Sequence, residues 1–271
     1  MSPIDETISV AGSAVRHLKD GSGPTVIVLH HETGSWGVEA WGAPQRDVRE
    51  WTTFHEKLAQ QFTVYAPELP GWGGSDRLPW ARNVRDIAEF MLGYCDEIGV
   101  SSAALVGLGF GGWIAAEMAI MSGSRFPQLT LAAPMGIRPR QGEIMDQILM
   151  SFDDFITCGF ASQESREALI GGESRQEQRR EWARSRESMA RVAWKPYMWS
   201  AGLPNLLPML KSSTVILHGA EDNIVPQDVS QQFKELMPKA FLKVLPGVGH
   251  FIDIEAPDEL VAAVADAVKA R

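Results

Sequence analysis

The sequence predicts an α/β fold in which a mostly parallel, twisted sheet carries helices on both faces. Short runs of apolar, often β-branched residues, such as 25–30 and 214–219, are typical of strands that are buried on both faces. These runs alternate with segments whose apolar residues recur at helical spacing, which is the pattern of βαβ units. A length of 271 residues, of which 45% are hydrophobic, is enough for one such domain with a large core.

The individual elements follow from this alternation in chain order. Residues 7–20 predict two short strands joined by a tight turn at Ala11 and Gly12. Gly99 ends the helix that the apolar spacing predicts before it. Further strands are predicted at 25–30, 63–69, 103–107, 129–134, 214–219 and 240–245, and helices at 51–62, 83–98, 111–121, 227–237 and 257–269.

Residues 135–205 interrupt the alternation of strands and helices. They are rich in Met, Arg, Glu and Trp and are mostly helical in pattern. In an open parallel sheet the functional site lies at the carboxyl ends of the strands. We therefore interpret 1–134 and 206–271 as an α/β core, and 135–205 as a helical cap inserted over that edge.

The composition of the chain argues against several classes of binding partner. A formal net charge of −9 and an isoelectric point near 5.2 argue against nucleic acid or an anionic membrane surface. No apolar run approaches the roughly 18–20 residues that span a bilayer, and the first residues lack a signal-peptide pattern. Cys95 and Cys158 show neither metal-ligand nor disulfide spacing, so a cytoplasmic protein is expected. We expect a small-molecule substrate and no cofactor, and the sequence allows a homodimer.

The most informative stretch is residues 105–113, Leu-Val-Gly-Leu-Gly-Phe-Gly-Gly-Trp. A buried strand, a sharp turn and the start of a helix form the pattern of a nucleophile elbow, G-x-S-x-G, which presents a serine at the tip of the turn. The glycine frame is present as Gly107, Gly109 and Gly111, but the tip position itself is Gly109. The sequence therefore keeps the frame that holds a nucleophile and lacks the nucleophile.

Five motifs, each at the end of a predicted strand, resemble those of the α/β-hydrolase superfamily over nearly the whole chain. Their order makes the resemblance specific, although each motif alone is weak. It is nearest to the capped members that act on small substrates, such as carbon–carbon bond hydrolases and esterases. The motifs are Leu29-His30, residues 70–75, the elbow at 107–111, residues 219–226 and residues 247–251.

The resemblance implies catalytic roles at the ends of the last two strands and at the elbow. Asp222 stands where the family carries the acid of its triad, and His250 stands where it carries the histidine. The backbone amide of Phe110 would be one donor of an oxyanion hole. Gly109 takes the nucleophile position, where a Ser→Gly exchange would keep or raise stability because glycine adopts the strained backbone freely.

The loop after the strand at 25–30 departs from the family a second time. The family usually shows His-Gly there, whereas this chain has His30-His31-Glu32. We expect the amide of Glu32 to be the second oxyanion donor, with the bulky His31 beside it. Alternatively, Glu32 projects its carboxylate into the space left by Gly109. A third reading is that His31 and Glu32 point to solvent or pair with each other.

A metal site is not expected at this loop. Adjacent residues at a strand end point in opposite directions, and no third histidine lies at familiar ligand spacing. The remaining histidines, His17, His55 and His218, lack a motif context and are expected to be structural.

Substrate contacts are expected from His30 and from tryptophans near the carboxyl edge of the sheet. Met and aromatic side chains in the cap suit an adaptable apolar pocket, although most of them should serve to dock the cap. The inferred substrate is a small apolar or aromatic carbonyl compound. The tryptophans expected to contact it are Trp36, Trp72, Trp194 and Trp199.

Three functions remain open on the sequence alone. The favoured one is an enzyme that uses His250 and Asp222 for acid–base catalysis without a covalent step, in ester or C–C bond hydrolysis or a lyase-type reaction. The second is a non-catalytic member that binds a small ligand under the cap. The third is a serine hydrolase disarmed by a Ser→Gly exchange at Gly109.

Overall fold

The computed structural model describes residues 3–34, 51–169 and 175–269, and these form one 8-stranded sheet flanked by helices. The strand order is β1-β2-β4-β3-β5-β6-β7-β8. The β1–β2 and β2–β4 pairs are antiparallel, and all other neighbours are parallel, so the predicted α/β class with a mostly parallel sheet is confirmed. The strands are β1 (Ile4–Val10), β2 (Ser13–Asp20), β3 (Thr25–Leu29), β4 (Thr63–Pro67), β5 (Ala104–Leu108), β6 (Gln128–Ala132), β7 (Ser213–Gly219) and β8 (Ala240–Leu245).

The helices agree with the predicted ones to within two or three residues at each end. Asn83 caps one of them, because its side chain accepts the backbone N–H of Asp86. The sequence did not predict the one-turn helix after His250. The helices are α1 (Thr53–Ala59), α2 (Val84–Glu97), α3 (Phe110–Met121), α4 (Phe152–Gly159), α5 (Gln163–Leu169), α6 (Arg175–Ala193), α7 (Leu203–Leu206), α8 (Gln227–Leu236), α9 (Ile252–Glu255) and α10 (Pro257–Lys269).

Both faces of the sheet are covered, which explains why its central strands are apolar at every position. Along β3, Ile27 and Leu29 face one hydrophobic cluster, whereas Val26 and Val28 face the other. The first cluster includes residues of α2, α3 and α8, and the second includes residues of α1 and α10. Because β3 and β5 to β8 run parallel, the loops that follow them meet at one edge of the sheet.

Helices α4 to α7 lie between β6 and β7, within the segment that we interpreted as a cap. Two contacts tie this segment to the loops at the carboxyl edge. Ser185 of α6 donates to the carbonyl of Thr33, and Ser188 donates to the carbonyl of Gly71. The division into core and cap remains an interpretation. None of the helices in the described ranges is long and apolar enough to cross a membrane.

Candidate active site

The elbow between β5 and α3 has the strained backbone that its glycines predict. Gly109 has φ 50° and ψ −112°, a conformation that residues with a side chain rarely adopt. At Gly111 an added Cβ would lie 2.4 Å from the carbonyl oxygen of Leu29, so only glycine allows the elbow to approach β3 this closely. The Gly111 amide donates to the carbonyl of His30, which joins the elbow to the loop that carries Glu32.

Asp222 and His250, from the loops after β7 and β8, form a buried hydrogen-bonded pair. The Nδ1–H of His250 donates to Oδ2 of Asp222 at 2.8 Å. The other oxygen of Asp222 accepts the amides of Ile224 and Val225, which fixes the carboxylate. The backbone N–H of His250 donates to the carbonyl of Gly159 at the end of α4. The carboxylate of Asp222 therefore holds the ring and the carbonyl of Gly159 holds the backbone of His250, and Nε2 points toward Gly109.

The carboxylate of Glu32 lies beside Gly109, in the space where an elbow side chain would project. A Cβ added to Gly109 would lie 2.6 Å from Oε2 of Glu32. Oε2 also accepts the backbone N–H of Phe110 at 3.3 Å, and Oε1 lies 3.4 Å from Nε2 of His250. The Phe110 amide, predicted as an oxyanion donor, thus faces a protein carboxylate in this structure.

A second histidine–aspartate pair, formed by His31 and Asp253, lies on the other side of Glu32. The Nε2–H of His31 donates to Oδ1 of Asp253 at 2.9 Å, and both side chains are buried. The free nitrogen of this ring, Nδ1, would lie 2.8 Å from a Cβ on Gly109. Sequence reasoning missed Asp253, which lies on the unpredicted helix α9, three residues after His250. The reading in which His31 and Glu32 face solvent is wrong, because both are fully buried.

Within this cluster, the pKa values of His250 and Glu32 are shifted in opposite directions, so that each residue favours its charged form. Burial disfavours the charged form of His250, but the nearby carboxylates of Asp222 and Glu32 outweigh it and raise its pKa to about 10. Burial likewise opposes ionisation of Glu32, but the charge and hydrogen bond of His250, with a contribution from His31, lower its pKa to about 2. His250 and Glu32 therefore form a buried ion pair, in which the histidine carries the proton and the carboxylate carries the negative charge.

The two geometric reasons for not expecting a metal site at this loop do not hold in the structure. His31, Glu32 and His250 each offer one ligand atom, and these three atoms lie within 4.8 Å of one another. The third histidine comes from a distant loop that spacing along the chain could not reveal. Strand alternation also fails at this point, because a tight turn from His31 to Gly34 directly follows β3 and places the His31 and Glu32 side chains together.

The structure corrects the substrate-contact role predicted for His30. Its Nδ1 donates to the carbonyl of His31, and its Nε2 accepts the amide of Leu69. Burial lowers the pKa of His30 to about 4, so the ring is neutral. With both nitrogens engaged, His30 joins the loops after β3 and β4 and has no free polar atom for a substrate.

The predicted tryptophans lie in several different environments. Trp72 is 2% exposed, and its indole N–H donates to the carbonyl of Glu32, so it positions Glu32 instead of offering a substrate surface. Trp194 is 48% exposed and packs edge-on against Tyr197. Trp199 lines a separate surface cavity beside α3 that includes none of the cluster residues. Trp36 lies outside the described residues.

The histidines predicted to be structural are buried in the structure. His218 donates or accepts at Nδ1 with the hydroxyl of Ser230, and its Nε2 lies 4.0 Å from Asp222. His17 packs among the rings of Tyr65 and Tyr94, away from the cluster at Gly109.

Comparisons with known proteins agree with this architecture. A family model described as "Alpha/beta hydrolase family" matches residues 26–264. The chain is 27% identical to a 2-hydroxymuconate semialdehyde hydrolase from Pseudomonas sp. (strain CF600), over 95% of this chain and 91% of that protein. It is 24% identical to a pimeloyl-[acyl-carrier protein] methyl ester esterase from Nitrosomonas europaea, over 89% and 94% of the two chains.

Solved structures show the same fold. A meta-cleavage product hydrolase from Pseudomonas fluorescens IP01 superposes with a TM-score of 0.77 and 22% identity, over 98% of this chain and 97% of that one. The fold predicted from the five motifs is therefore confirmed.

Proposed function

This chain belongs to the alpha/beta hydrolase family, and we propose that it is an enzyme that cleaves a small carbonyl compound without a serine nucleophile. The named relatives act on a ring-cleavage semialdehyde and on a methyl ester. By analogy, we propose that this chain hydrolyses an ester or a C–C bond next to a carbonyl, or catalyses a related lyase step. The proposed catalytic groups are Glu32, His31 and His250.

The observation that carries this proposal is the filling of the space beside Gly109. A serine hydrolase that had only lost its serine would leave a small gap at the tip of the elbow. Here a Cβ on Gly109 would lie 2.6 Å from Glu32, 2.8 Å from His31 and 3.0 Å from His250. The glycine and the two unusual loop residues therefore fit each other, which supports a native and altered chemistry over a disarmed hydrolase.

In the proposed reaction, a water molecule attacks the carbonyl carbon directly. A C–O bond forms as the water gives its proton to the carboxylate of Glu32, and the ester C–O bond or the C–C bond then breaks as His250 gives its proton to the departing group. His250, oriented by Asp222, exchanges protons with the reacting groups, and the departing alkoxide or carbanion leaves as an alcohol or a C–H product. No acyl-enzyme forms, because residue 109 has no side chain to acylate.

The surroundings of the cluster favour an apolar substrate. The ring of Phe251 packs edge-on against both His31 and His250, with centroids 5.2 and 5.3 Å away. Phe110 is fully buried beside the carboxylate of Glu32. Apolar walls around a few polar groups are typical of small-molecule sites. They support the inference of an apolar or aromatic carbonyl compound.

Activity measurements on matched variants test this proposal. The substrates are methyl esters and vinylogous diketones of the ring-cleavage type, assayed with wild type, Glu32→Gln and His250→Ala. Both variants are expected to lower kcat by about 10²–10⁴-fold, the usual contribution of a positioned acid–base group. Glu117→Gln and His17→Ala are the controls, since each changes a buried residue of the same type away from the cluster.

Three results would overturn the proposal. The first is equal activity in Glu32→Gln, His250→Ala and the controls. The second is an inert wild type whose Gly109→Ser variant hydrolyses esters and reacts with a serine-directed phosphonate probe, which would indicate a disarmed hydrolase. A chain that binds a small ligand equally well with and without His250, and turns over nothing, would instead be a binding protein.

A further inference from the structure

We propose that His31, Glu32 and His250 bind a divalent transition-metal ion such as Zn²⁺. The three side chains are fully buried and converge on the space beside Gly109. Within residues 3–34, 51–169 and 175–269, Nδ1 of His31 has no hydrogen-bond partner, and Oε1 of Glu32 and Nε2 of His250 have none apart from the 3.4 Å ion pair that they form with each other. Buried polar atoms are nearly always fully paired, so three such atoms at one point are suited to bind a ligand.

The donor set and its spacing suit such an ion. Two imidazole nitrogens and one carboxylate oxygen are a common ligand set for Zn²⁺ and for other first-row divalent metals. Oε1 of Glu32 and Nε2 of His250 are 3.4 Å apart. Two ligand atoms about 2.05 Å from a tetrahedrally coordinated ion are separated by about 3.3 Å. All three ligand atoms lie within 4.8 Å, so closing around an ion requires only small side-chain shifts.

The residues that hydrogen-bond to the three proposed ligands have the arrangement that is found around metal sites. Metal-binding histidines usually donate their second ring N–H to a carboxylate, which fixes the tautomer and the direction of the free lone pair. His250 donates in this way to Asp222, and His31 donates to Asp253. The remaining oxygen of Glu32 accepts the amide of Phe110, which orients the carboxylate.

Gly109 provides the space for the ion. The position of a Cβ on Gly109 lies 2.8 Å from Nδ1 of His31 and 3.0 Å from Nε2 of His250, which are two of the three ligand atoms, and 2.6 Å from Oε2 of Glu32, the oxygen next to the third. An ion about 2.0–2.2 Å from its ligands would lie close to this position. A side chain at residue 109 and a metal ion therefore compete for the same volume. A metal site would therefore explain both why residue 109 is not serine and why His31 and Glu32 stand in the loop after β3.

This inference deepens the proposed function. Metal binding itself does not depend on that function, and only the role of the ion in catalysis rests on it. With three protein ligands, a Zn²⁺ ion keeps a fourth position for water, and it lowers the pKa of that water toward neutrality. The ion would then be the group that activates the attacking water. Glu32 and His250 would hold the ion, with Nε2 of His250 deprotonated. The ion and its bound water would then replace His250 in the proton transfer that the proposed function describes without a metal.

Metal binding is measured directly and without substrate. Purified protein is stripped with a chelator, titrated with Zn²⁺, and analysed for bound metal by mass spectrometry. Co²⁺ serves as a second probe, because its visible spectrum reports the ligand field. The expected result is about one ion per chain for wild type. Alanine variants of His31, Glu32 and His250 should each bind at least about 10-fold more weakly, with folding checked by circular dichroism.

Further variants separate a specific site from non-specific binding. Asp253→Asn leaves all three ligands in place and should weaken Zn²⁺ binding by about 10–100-fold, as expected when the partner of a ligating histidine is altered. Gly109→Ser should also weaken binding, because its side chain enters the ion's volume. His17→Ala should bind Zn²⁺ as wild type does, since His17 contacts none of the ligands.

The outcomes distinguish this inference from the proposed function. Folded wild type that binds neither Zn²⁺ nor Co²⁺, or that binds them as well when all three ligands are alanine, would overturn the metal site. If activity then still depended on Glu32 and His250, the proposed function would stand alone. Stoichiometric binding in a protein that turns over no carbonyl substrate would keep the metal site and remove the proposed function.

Discussion

Replacing Gly109 with serine restores the usual elbow residue, yet we expect it to destabilise this protein. Residue 109 has φ 50° and ψ −112°, and holding a residue with a side chain there costs about 1–3 kcal/mol. The new Cβ would also lie 2.6 Å from Oε2 of Glu32, and such overpacking typically costs a further 1–3 kcal/mol or so. Together these predict that the free energy of unfolding falls by about 2–6 kcal/mol.

Denaturant and thermal unfolding measure this loss. For a chain of this length, each kcal/mol lowers Tm by about 2–4 °C, so a decrease on the order of 10 °C is expected. Gly109→Ala is the matched control, because it adds the Cβ without the hydroxyl and should lose a similar amount. A hydroxyl that formed new hydrogen bonds would make Gly109→Ser clearly more stable than Gly109→Ala.

A double-mutant cycle with Glu32→Ala separates strain from overlap. Removing the carboxylate relieves the overlap but leaves the backbone strain, so Gly109→Ser should be less harmful in the Glu32→Ala background. Directly contacting residues usually couple by about 0.5–3 kcal/mol. No coupling, or a Gly109→Ser variant as stable as wild type, would refute the argument that Gly109 and Glu32 fit each other.

Three further substitutions test the contacts that build the site, each read as a change in the free energy of unfolding. Gly111→Ala should cost about 3 kcal/mol or more, since its Cβ would lie 2.4 Å from the carbonyl oxygen of Leu29; a smaller loss would mean that the elbow and β3 are farther apart. His30→Phe should cost about 1–3 kcal/mol because it leaves a buried amide and a buried carbonyl unpaired, and a neutral result would place the ring elsewhere. Trp72→Phe removes the indole N–H that pairs with the carbonyl of Glu32 and also part of a buried ring system, so we expect a loss of about 1–3 kcal/mol and a lower kcat; an unchanged kcat would show that Trp72 does not position Glu32.

Local patterns predicted the elements and the order of the motifs well. The apolar runs are strands, because a strand buried on both faces must be apolar at every position. The glycines at 107 and 111 mark a turn that has no room for a side chain at either position, and the spacing of the three glycines at 107, 109 and 111 predicts the elbow without any tertiary information. The resemblance to the family's motifs identifies Asp222 and His250, and the parallel strands β7 and β8 bring the loops that carry them to one edge.

The contacts between distant loops could not be predicted in this way. His30, His31 and Glu32 are adjacent in the sequence. The alternation of side chains along a strand does not predict where these three point, because a turn begins at the strand end. For this reason the sequence predicts a substrate contact for His30 and no metal site at this loop. The turn instead directs His30 toward Leu69, and it directs His31 and Glu32 toward Gly109.

The sequence by itself determined the fold, the elbow without a nucleophile and the Asp222–His250 pair, because each depends on local periodicity or on motifs in a fixed order. Only the tertiary structure decided that the carboxylate of Glu32 lies against Gly109 and that Asp253 holds His31. His31 and Asp253 are separated by 222 positions in the chain. Contacts over such distances arise from the packing of whole elements, which no short stretch of sequence encodes.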